Sequence, residues 1–346
     1  FLSQSLITVV VVFMLVHSRP LAVNADNLVD LQVQLKFIAQ QLQSCQRYTT
    51  SNIFNMRLHF LDKNTTCNDG TPAGYYLKKA HGSKRWLVYL EGGWFCVNKK
   101  ACNDRANSSM RTLMTSSKWR KTKRGTGMLS SNPKENPSWW NANHVLIPYC
   151  SSDAWSGNAT SRETGERFSF LGSRIIEKVI EDLLAKGLYH AEHLLLAGSS
   201  AGAIGVLLNV DRVSFKLRSL GYNINVRGLV DSGWYLGNIS KQKGCGKGSC
   251  GPEKTIKEGM RYWRGVVPKA CAVNQSKSEW NCYFGNVVYP TLKSPIFVFQ
   301  WLYDETQLAL NGSGRPKSLQ GVTQEQVSFI LDLSKDLRHS LRHDNV

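Results

Sequence analysis

A short glycine–serine segment carries the clearest chemical signal in this chain. Gly198-Ser199-Ser200-Ala201-Gly202 has the form Gly-x-Ser-x-Gly, and it lies between an apolar run and a helical pattern. A sharp strand-to-helix turn leaves little room beside the serine, which explains the glycine on either side. The serine then lies at the N-terminus of a helix, where free N–H groups and the helix dipole favour negative charge. The segment therefore predicts a nucleophile elbow, with Ser200 as the attacking hydroxyl of a serine hydrolase.

A second glycine-rich turn predicts the groups that would stabilise a developing negative charge. Ester hydrolysis by a serine passes through an oxyanion, and each N–H donor to it contributes roughly 3–4 kcal/mol to the transition state. In a nucleophile-elbow enzyme one donor follows the nucleophile, and the others come from a turn after an earlier strand. Gly92-Gly93-Trp94 follows the buried run 85–90. We therefore expect the oxyanion donors to be the N–H groups of Gly93, Trp94 and Ala201.

Two aspartates compete for the acidic position of a catalytic triad. In this kind of fold the triad order along the chain is serine, acid, histidine, and the acid follows a strand beyond the nucleophile. Asp304 follows the apolar run 295–302, and Asp231 follows the run 225–230. Because the acid usually comes from a later strand, Asp304 is the favoured candidate and Asp231 is the alternative.

The histidine of the triad has no convincing candidate. Only His339 and His343 follow Asp304, and both lie on a predicted helix that begins at a capping box near Thr323. They are one turn apart on the polar side of that helix, a position typical of solvated side chains. Neither is therefore predicted to be the base. The predicted apolar face of the helix consists of Val327, Ile330, Leu331, Leu337 and Leu341.

The elements that must position these residues alternate between strands and helices. Short apolar runs predict strands, whereas helical spacing of apolar residues predicts helices. The alternation predicts an α/β-hydrolase-like fold, with a mainly parallel sheet and helices on both faces. Such sheets bind ligands at the carboxyl ends of their strands, where the motifs above are found. The predicted strands are 85–90, 143–149, 194–197, 225–230 and 295–302, and the main predicted helices are 170–184, 201–217 and 323–341.

The N-terminus and the cysteines indicate export from the cell. Residues 6–16 form an apolar run that is too short to span a membrane, and small residues follow up to Ala25. We therefore predict a signal peptide over 1–25, a single domain over 26–346 and a secreted, extracellular protein that does not span a membrane. The nine cysteines include no CxxC pair, so disulfide bonds are predicted, and neither a metal site nor a cofactor is expected. The predicted glycosylation sites are the Asn-x-Ser/Thr sequons at Asn64, Asn107, Asn158, Asn238, Asn274 and Asn311.

The net charge of +18 indicates an acidic partner. Export argues against nucleic acid, and sulfated glycosaminoglycan is the natural polyanion outside the cell. The densest basic run is 118–124, although runs of this kind are also typical of solvated surfaces. We expect heparan sulfate to bind its five cations, which are Lys118, Arg120, Lys121, Lys123 and Arg124.

Longer sequence runs are far more specific than Gly-x-Ser-x-Gly alone. They are YLEGGWFC at 89–96, NPSWWNANHVLIPYCSSDAWSG at 136–157, LLLAGSSAG at 194–202, GVLLNVDRV at 205–213, RGLVDSGW at 227–234 and QWLYDETQL at 300–308. Through these runs the chain resembles the Notum carboxylesterases, the secreted animal branch of the pectin acetylesterase-like family. The resemblance covers roughly residues 45–346.

The resemblance implies catalytic residues and a substrate. It implies Ser200 as the nucleophile and Asp304 as the triad acid, and it assigns the oxyanion hole to the same three N–H groups. It also implies hydrolysis of the palmitoleate ester on a serine of Wnt proteins, which silences their signal, and localisation through heparan sulfate on glypicans. Such a substrate requires a deep apolar pocket, because each buried methylene contributes about 0.8 kcal/mol. The predicted lining residues are Trp94, Phe95, Tyr283, Phe284 and Leu310.

The chain departs from the family pattern at two places. Ala203 stands where a second glycine commonly follows the elbow. The family's catalytic histidine is expected in a cysteine-containing loop beyond residue 346, which also fits an unpaired cysteine. We therefore interpret the chain as incomplete at both ends and expect residues 1–346 alone to turn over no ester. Robust turnover by them would promote His339 or His343 to the base.

Two other functions are compatible with the sequence. A polysaccharide O-acetyl esterase, as in plant members of the family, would need a shallow polar cleft for a small acyl group. A non-catalytic protein that binds glycans or Wnt would require that the catalytic histidine be truly absent.

Overall fold

A mixed sheet of eight strands lies at the centre of the described residues, which are 55–237, 252–310 and 323–341 of a computed structural model. In chain order the strands are β1 (Asn55–Phe60), β2 (Gly74–Lys78), β3 (Arg85–Leu90), β4 (Thr122–Arg124), β5 (Asn143–Ile147), β6 (His193–Ser199), β7 (Asn225–Asp231) and β8 (Ile296–Phe299). Across the sheet they lie in the order β4-β1-β2-β5-β3-β6-β7-β8. Neighbours from β5 to β8 pair in parallel, whereas β4, β1 and β2 form an antiparallel extension. The predicted α/β-hydrolase-like architecture with a mainly parallel sheet is confirmed.

The helices connect these strands. None of the described helices combines the length and the apolar composition that crossing a membrane requires. The described helices are α1 (Lys99–Ala106), α2 (Ser161–Thr164), α3 (Gly172–Ala185), α4 (Ala201–Ser219), α5 (Pro252–Trp263), α6 (Lys269–Asn274), α7 (Gly285–Val288), α8 (Glu305–Leu310) and α9 (Gln324–Ser340).

Parallel pairing brings the carboxyl ends of four neighbouring strands to one edge of the sheet. Leu90 at the end of β3 lies opposite Gly198 of β6, and Ser199 lies opposite Asp231 at the end of β7. Asp231 in turn pairs with Phe299 at the end of β8. The segments that follow these strands therefore emerge side by side, and they contain the predicted nucleophile, acid and oxyanion donors.

The core is built on the face of the sheet that packs against α3 and α4. Both helices contribute to one large apolar cluster. Gly205 of α4 makes room for the indole of Trp155, since a Cβ at this position would lie 2.7 Å from that side chain. The opposite face of the sheet packs a smaller cluster against Leu129 and Trp139. The core therefore packs α4 against the sheet, and the candidate nucleophile immediately precedes this helix.

The last strand is an edge strand and not the buried strand that the sequence predicts. Phe297 is 65% exposed and Phe299 is 48% exposed. Within the described residues, β7 is the one strand that pairs with β8. The run 295–302 is apolar on both sides of the strand, so its composition does not distinguish an edge from a central position.

The buried face of α9 is rotated from the predicted face. Of the predicted face, Leu337 is buried and Ile330 and Leu341 pack against the core, whereas Val327 and Leu331 are 41% and 45% exposed. Leu333, which lies outside the predicted face, is buried. Because α9 has more apolar positions than its buried stripe can hold, helical spacing alone permits two neighbouring faces. Packing against the core selects the face that passes through Leu333.

The described residues contain three disulfide bonds, Cys67–Cys150, Cys96–Cys102 and Cys271–Cys282. The boundaries of the predicted domain stay a prediction. Several other predictions lie outside the described residues: the signal peptide over 1–25, Cys45, Cys245, Cys250, Asn238, Asn311, His343 and the side chain of Leu310.

Candidate active site

The turn between β6 and α4 has a strained backbone. Ser200 has φ +54° and ψ −122°, a conformation that residues with a side chain rarely adopt. A Cβ on Gly198 would lie 2.4 Å from the carbonyl oxygen of Gly202, and a Cβ on Gly202 would lie 2.1 Å from that of Leu90. The N–H of Ser200 donates to the carbonyl oxygen of Asp231 at 2.9 Å and so ties the turn to β7. This is the geometry of a nucleophile elbow.

The turn after β3 lies directly against this serine. A Cβ on Gly92 would lie 3.1 Å from the Cβ of Ser200. The next two residues have positive φ angles, +155° at Gly93 and +60° at Trp94. Within the ranges that the structure describes, no hydrogen bond engages the N–H groups of Gly93, Trp94 or Ala201. Free N–H groups beside a serine hydroxyl have the chemistry that an oxyanion hole requires.

The segment that follows β5 holds this turn in place. The carboxylate of Glu91 accepts the N–H of Tyr149 at 3.0 Å, and the carbonyl oxygen of Glu91 accepts the indole N–H of Trp155 at 3.0 Å. The N–H of Cys96 donates to the carbonyl oxygen of Ser152 at 3.1 Å. The turn is therefore fixed on both sides of its two strained residues.

A buried carboxylate organises the supporting segment. Ser152, Ala154 and Trp155 have φ angles between +51° and +62°, so this backbone needs strong partners to persist. Asp153 is fully buried and accepts four hydrogen bonds at 2.6 to 3.1 Å. Burial raises the pKa of Asp153 to about 6, against the opposing effect of these hydrogen bonds. The donors are the hydroxyl of Ser151 and the N–H groups of Trp155, Gly157 and Gly172.

The loops after β7 and β8 bring Tyr235 and Asp304 to the same serine. The phenol of Tyr235 lies near the side chain of Ser200, which lowers the pKa of the phenol slightly. Burial, and secondly the nearby carboxylate of Asp304, raise the pKa of Tyr235 to about 12, so the phenol is protonated at neutral pH. Asp304 precedes α8, where its carboxylate accepts the N–H of Gln307 at 2.8 Å. The structure therefore brings together Ser200, Asp304 and a tyrosine that the sequence did not single out.

The competing aspartate has other partners. The carboxylate of Asp231 accepts the hydroxyl of Ser232 at 2.7 Å, and its charge acts on Tyr89. The charge of Asp304, in contrast, acts on the phenol of Tyr235, which lies near Ser200. The two candidates therefore differ in how they reach the nucleophile: Asp231 through its backbone carbonyl, and Asp304 through the charge that its carboxylate exerts on Tyr235.

No described histidine forms a hydrogen bond with Ser200. His339 is exposed on α9. His144 is fully buried in β5, where its Nε2 lies 2.7 Å from the carbonyl oxygen of Trp139 and burial lowers its pKa to about 4. The site as described therefore lacks a base, and His343 lies outside the described residues.

Sequence reasoning missed the polar residues that hold the loop after β7. The N–H of Trp234 donates to the side chain of Gln300 at 2.8 Å, and the N–H of Leu236 donates to that of Gln307 at 2.9 Å. The indole N–H of Trp234 donates to the hydroxyl of Ser340 at 3.0 Å, so the end of α9 lies against this loop. The backbone on both sides of Tyr235 is therefore held in place by hydrogen bonds. Tyr235 carries one weak signal, its place at the carboxyl end of a parallel strand, whereas no motif marks the two glutamines.

The four aromatic residues of the predicted acyl pocket belong to one apolar cluster beside the turn after β3. The rings of Trp94 and Phe95 stack with centroids 4.5 Å apart, and Phe95 meets Trp263 edge-on at 5.5 Å. Tyr283 and Phe284 are each 1% exposed. Trp94 is the partly exposed member, so a ligand approaching this cluster would meet it first.

The predicted basic run lies at the edge of the sheet. All five of its cations are exposed, and the last two belong to the edge strand β4. The ammonium of Lys123 lies 3.4 Å from the carboxylate of Glu91, so the run borders the turn after β3.

The described sequons differ in exposure. The side chain of Asn158 is half-buried, and its oxygen accepts a hydrogen bond from Arg174. The exposed sequon asparagines are Asn64, Asn107 and Asn274.

These features together define a class of protein. A serine in a strained strand–turn–helix, free N–H donors beside it and an acid from a later strand form the arrangement of an α/β-hydrolase-like serine hydrolase.

Comparison with known proteins narrows that class to a family. The profile of the family described as pectinacetylesterase matches residues 42–344, and the chain belongs to this family. It is 52% identical over 326 residues to the palmitoleoyl-protein carboxylesterase notum1a of Danio rerio, covering 92% of this chain and 63% of that protein. It is 49% identical over 337 residues to the palmitoleoyl-protein carboxylesterase NOTUM of Homo sapiens, covering 94% of this chain and 66% of the human protein.

A more distant relative agrees with this assignment. The palmitoleoyl-protein carboxylesterase NOTUM of Drosophila melanogaster is 43% identical over 296 residues, which cover 84% of this chain and 42% of the fly protein. The resemblance to Notum carboxylesterases is therefore confirmed. The chain spans about two thirds of the length of the fish and human relatives.

Proposed function

We propose that this protein is a secreted serine carboxylesterase that removes palmitoleate from a serine of Wnt proteins. The observation that carries the proposal is the setting of Ser200, which lies in a strained elbow against a turn with free N–H groups. Its relatives in fish and human are named palmitoleoyl-protein carboxylesterases, which supports the choice of acyl group.

In the proposed mechanism Ser200 attacks the carbonyl carbon of the ester. A base takes the hydroxyl proton as the new Oγ–C bond forms, and the carbonyl oxygen becomes an oxyanion. The N–H groups of Gly93, Trp94 and Ala201 hold that oxyanion, each contributing roughly 3–4 kcal/mol. Collapse then breaks the bond to the substrate's serine oxygen, which leaves with the proton from the base. Water attacks the acyl-enzyme in the same way and releases the fatty acid.

We assign Asp304 to orienting the base and expect the base to be a histidine downstream of α9. The carboxylate of Asp304 and the side chain of Ser200 both act on the pKa of the Tyr235 phenol, which supports their lying in one site. The hydroxyl of Ser340 at the end of α9 accepts the indole N–H of Trp234, the neighbour of Tyr235. The end of α9 therefore lies against the loop that contains Tyr235, which supports this origin for the base.

The acyl chain is proposed to lie against the aromatic cluster that begins at Trp94. Trp94 neighbours the oxyanion turn, and its ring stacks on Phe95. Tyr283, Phe284 and Leu310 are proposed to complete the lining. Because each buried methylene contributes about 0.8 kcal/mol, a long acyl chain would gain far more from such a lining than an acetyl group.

An ester preference tests the proposal. The protein is expressed from its complete coding sequence and assayed with matched octanoyl and acetyl esters and with a palmitoleoylated Wnt peptide. We expect preference for the long chain, and Ser200→Ala should lower turnover by at least about 10⁴-fold. Ser199→Ala is the matched control, because this neighbour lies outside the reacting atoms, and it should keep most of the activity.

The other outcomes of the same assay contradict the proposal in different ways. Preference for the acetyl ester would make the protein a polysaccharide O-acetyl esterase, as the family description allows. Absence of turnover by a folded protein would leave a protein that binds glycans or Wnt without cleaving them.

We also propose that the secreted protein binds heparan sulfate on glypicans through Lys118, Arg120, Lys121, Lys123 and Arg124. Their exposure on one edge of the sheet supports the proposal. Replacing all five by glutamine should lower the salt concentration that elutes the protein from heparin. The control variant removes five exposed lysines elsewhere. An equal decrease in elution salt concentration for both variants would show that the basic run contributes only through the protein's overall charge. The control positions are Lys99, Lys100, Lys134, Lys257 and Lys335.

A further inference from the structure

A buried arginine lies behind the turn after β3. Arg105 is 7% exposed and belongs to α1, whose other buried residue is Cys102. Cys102 forms a disulfide bond with Cys96, so α1 is attached covalently to the end of the turn. Burying a guanidinium is costly unless charged or polar groups compensate it, so its partners indicate why it is there.

The compensation of Arg105 comes from one peptide carbonyl. Its Nη2 donates to the carbonyl oxygen of Gly93 at 2.6 Å. In the part of the chain that the structure describes, its Nε has no partner and no carboxylate forms a salt bridge with it. The ionisable group that acts on it is Tyr149, and burial raises the pKa of that phenol far above its usual value. Tyr149 is therefore neutral, and Arg105 keeps its positive charge without a counter-ion.

The contacted carbonyl belongs to the same peptide group as a proposed oxyanion donor. The C=O of Gly93 and the N–H of Trp94 lie in one plane and share delocalised electrons. A cation that donates to the oxygen draws electron density from the nitrogen, and this makes the N–H a stronger donor. The hydrogen bond also fixes the direction of the peptide plane between two residues with positive φ.

We propose that Arg105 is a positioning residue that aims the N–H of Trp94 at the oxyanion and strengthens it as a donor. The inference rests on the proposed esterase function, because it deepens the role of the same turn. It differs from a purely structural role for Arg105, in which the side chain would only attach α1 to the turn.

Three variants separate charge, hydrogen bonding and packing. Arg105→Gln keeps a donor and loses the charge, Arg105→Lys keeps the charge, and Arg105→Met loses both. Since removal of a whole oxyanion donor costs about 10²–10³ in kcat, weakening one should lower kcat by about 10- to 100-fold in Arg105→Gln. KM should stay within about twofold, because the oxyanion forms only after substrate binds. Arg105→Lys should recover part of the loss.

A second measurement reports on the peptide group without turnover. With backbone ¹⁵N label in tryptophan, the Trp94 signal is assigned through Trp94→Phe. Its ¹⁵N shift responds to hydrogen bonding at the carbonyl of Gly93, so Arg105→Gln should move it upfield while the other tryptophan signals stay in place.

The matched control is Asn98→Ala. Asn98 caps α1 through the N–H of Ala101 but does not touch Gly93, so its loss should destabilise α1 and leave kcat and the Trp94 signal unchanged. An unmoved Trp94 signal in Arg105→Gln, or an unchanged kcat in the folded variant, would overturn the inference. If the wild-type protein turns over no ester, the proposed function fails and the catalytic role of Arg105 fails with it, whereas an active esterase with an unmoved Trp94 signal overturns the inference alone.

Discussion

The two turns that meet at Ser200 are built in opposite ways. The elbow between β6 and α4 depends on glycines within its own motif, because a Cβ on Gly198 would meet Gly202 and a Cβ on Gly202 would meet the end of β3. The turn after β3 depends on residues far along the chain, among them Arg105 and Tyr149. A local rule therefore suffices for the nucleophile, whereas the oxyanion donors need a second buried structure to hold them.

The second buried structure has its own strain. Three residues of the 152–155 segment have positive φ without being glycine. The Asp153 carboxylate accepts the N–H of one of them, Trp155, and three further donors fix that carboxylate in place. Strain of about 1–3 kcal/mol for each such residue persists only when the surroundings over-determine it. This difference predicts that a substitution in the elbow acts mainly on Ser200, whereas a substitution at Asp153 displaces the oxyanion donors without contacting them.

Replacing Gly202 by alanine should have the largest effect. The added Cβ would lie 2.1 Å from the carbonyl oxygen of Leu90, which is backbone and has no rotamer to change. We expect a loss of at least about 3 kcal/mol of unfolding free energy together with esterase activity, measured by urea unfolding and ester turnover. Gly221→Ala is the control just beyond the same helix: its φ is +87° but it has open space, so about 1 kcal/mol is expected. Equal losses for both variants would show that the elbow is not specially constrained.

Asp153→Asn should come next and act on the other turn. The amide nitrogen of asparagine would face either the N–H groups of Gly157 and Gly172 or that of Trp155, so at least one buried donor would lose its acceptor at about 1–3 kcal/mol. The expected result at pH 7.5 is a lower unfolding free energy and a lower kcat, with an intact Ser200 that still reacts with a fluorophosphonate probe. Asp104→Asn, an exposed acid on α1, is the control and should change stability by less than about 0.5 kcal/mol.

The effect of Asp153→Asn should also depend on pH in a defined direction. Burial raises the pKa of Asp153 to about 6 from 3.8, so the stabilisation by its protonated form is complete below pH 4 and disappears as pH rises through 6. Asparagine has no such dependence. The destabilisation by asparagine should therefore be larger at pH 4 than at pH 7.5, by about 3 kcal/mol at most. The opposite trend would mean that the hydrogen bonds outweigh burial at this carboxylate.

The contrast between the turns also explains what could be predicted from the sequence. The elbow, the order of strands and helices and the candidate Asp304 follow from local patterns, and the structure brings them to one edge of the sheet. Tyr235 and Arg105 could not be found in this way, because their roles depend on which loops pack together in space. The exposed face of β8 was mispredicted for the same reason: apolar composition does not reveal whether another strand lies alongside.

Removing the Cys96–Cys102 disulfide should have a smaller effect on the turn after β3. The closed loop is short, so the expected loss of unfolding free energy is about 2 kcal/mol when both cysteines become serine. Because Cys102 and Arg105 share the buried side of α1, kcat should fall by about tenfold with little change in KM. The comparison variant removes Cys271–Cys282, which adjoins the proposed acyl lining at Tyr283, and it should raise KM for the octanoyl ester instead. A fall in kcat of equal size for both variants would show that α1 has no special link to the oxyanion turn.

Tyr235→Phe should have the smallest effect. It tests whether the loop after β7 also influences the nucleophile. The phenol lies near the side chain of Ser200, and a neutral hydrogen bond made there in the reacting complex would contribute about 1 kcal/mol, or roughly fivefold in rate. We expect kcat/KM to fall by about that factor for octanoyl and acetyl esters alike, because the lost contact is to the nucleophile and not to the acyl chain. Unfolding free energy should hardly change, since the ring stays buried. A loss above about a hundredfold would place Tyr235 among the groups that transfer protons or stabilise charge. The nucleophile would then depend on distant residues as strongly as the oxyanion donors do, and the contrast between the two turns would no longer hold.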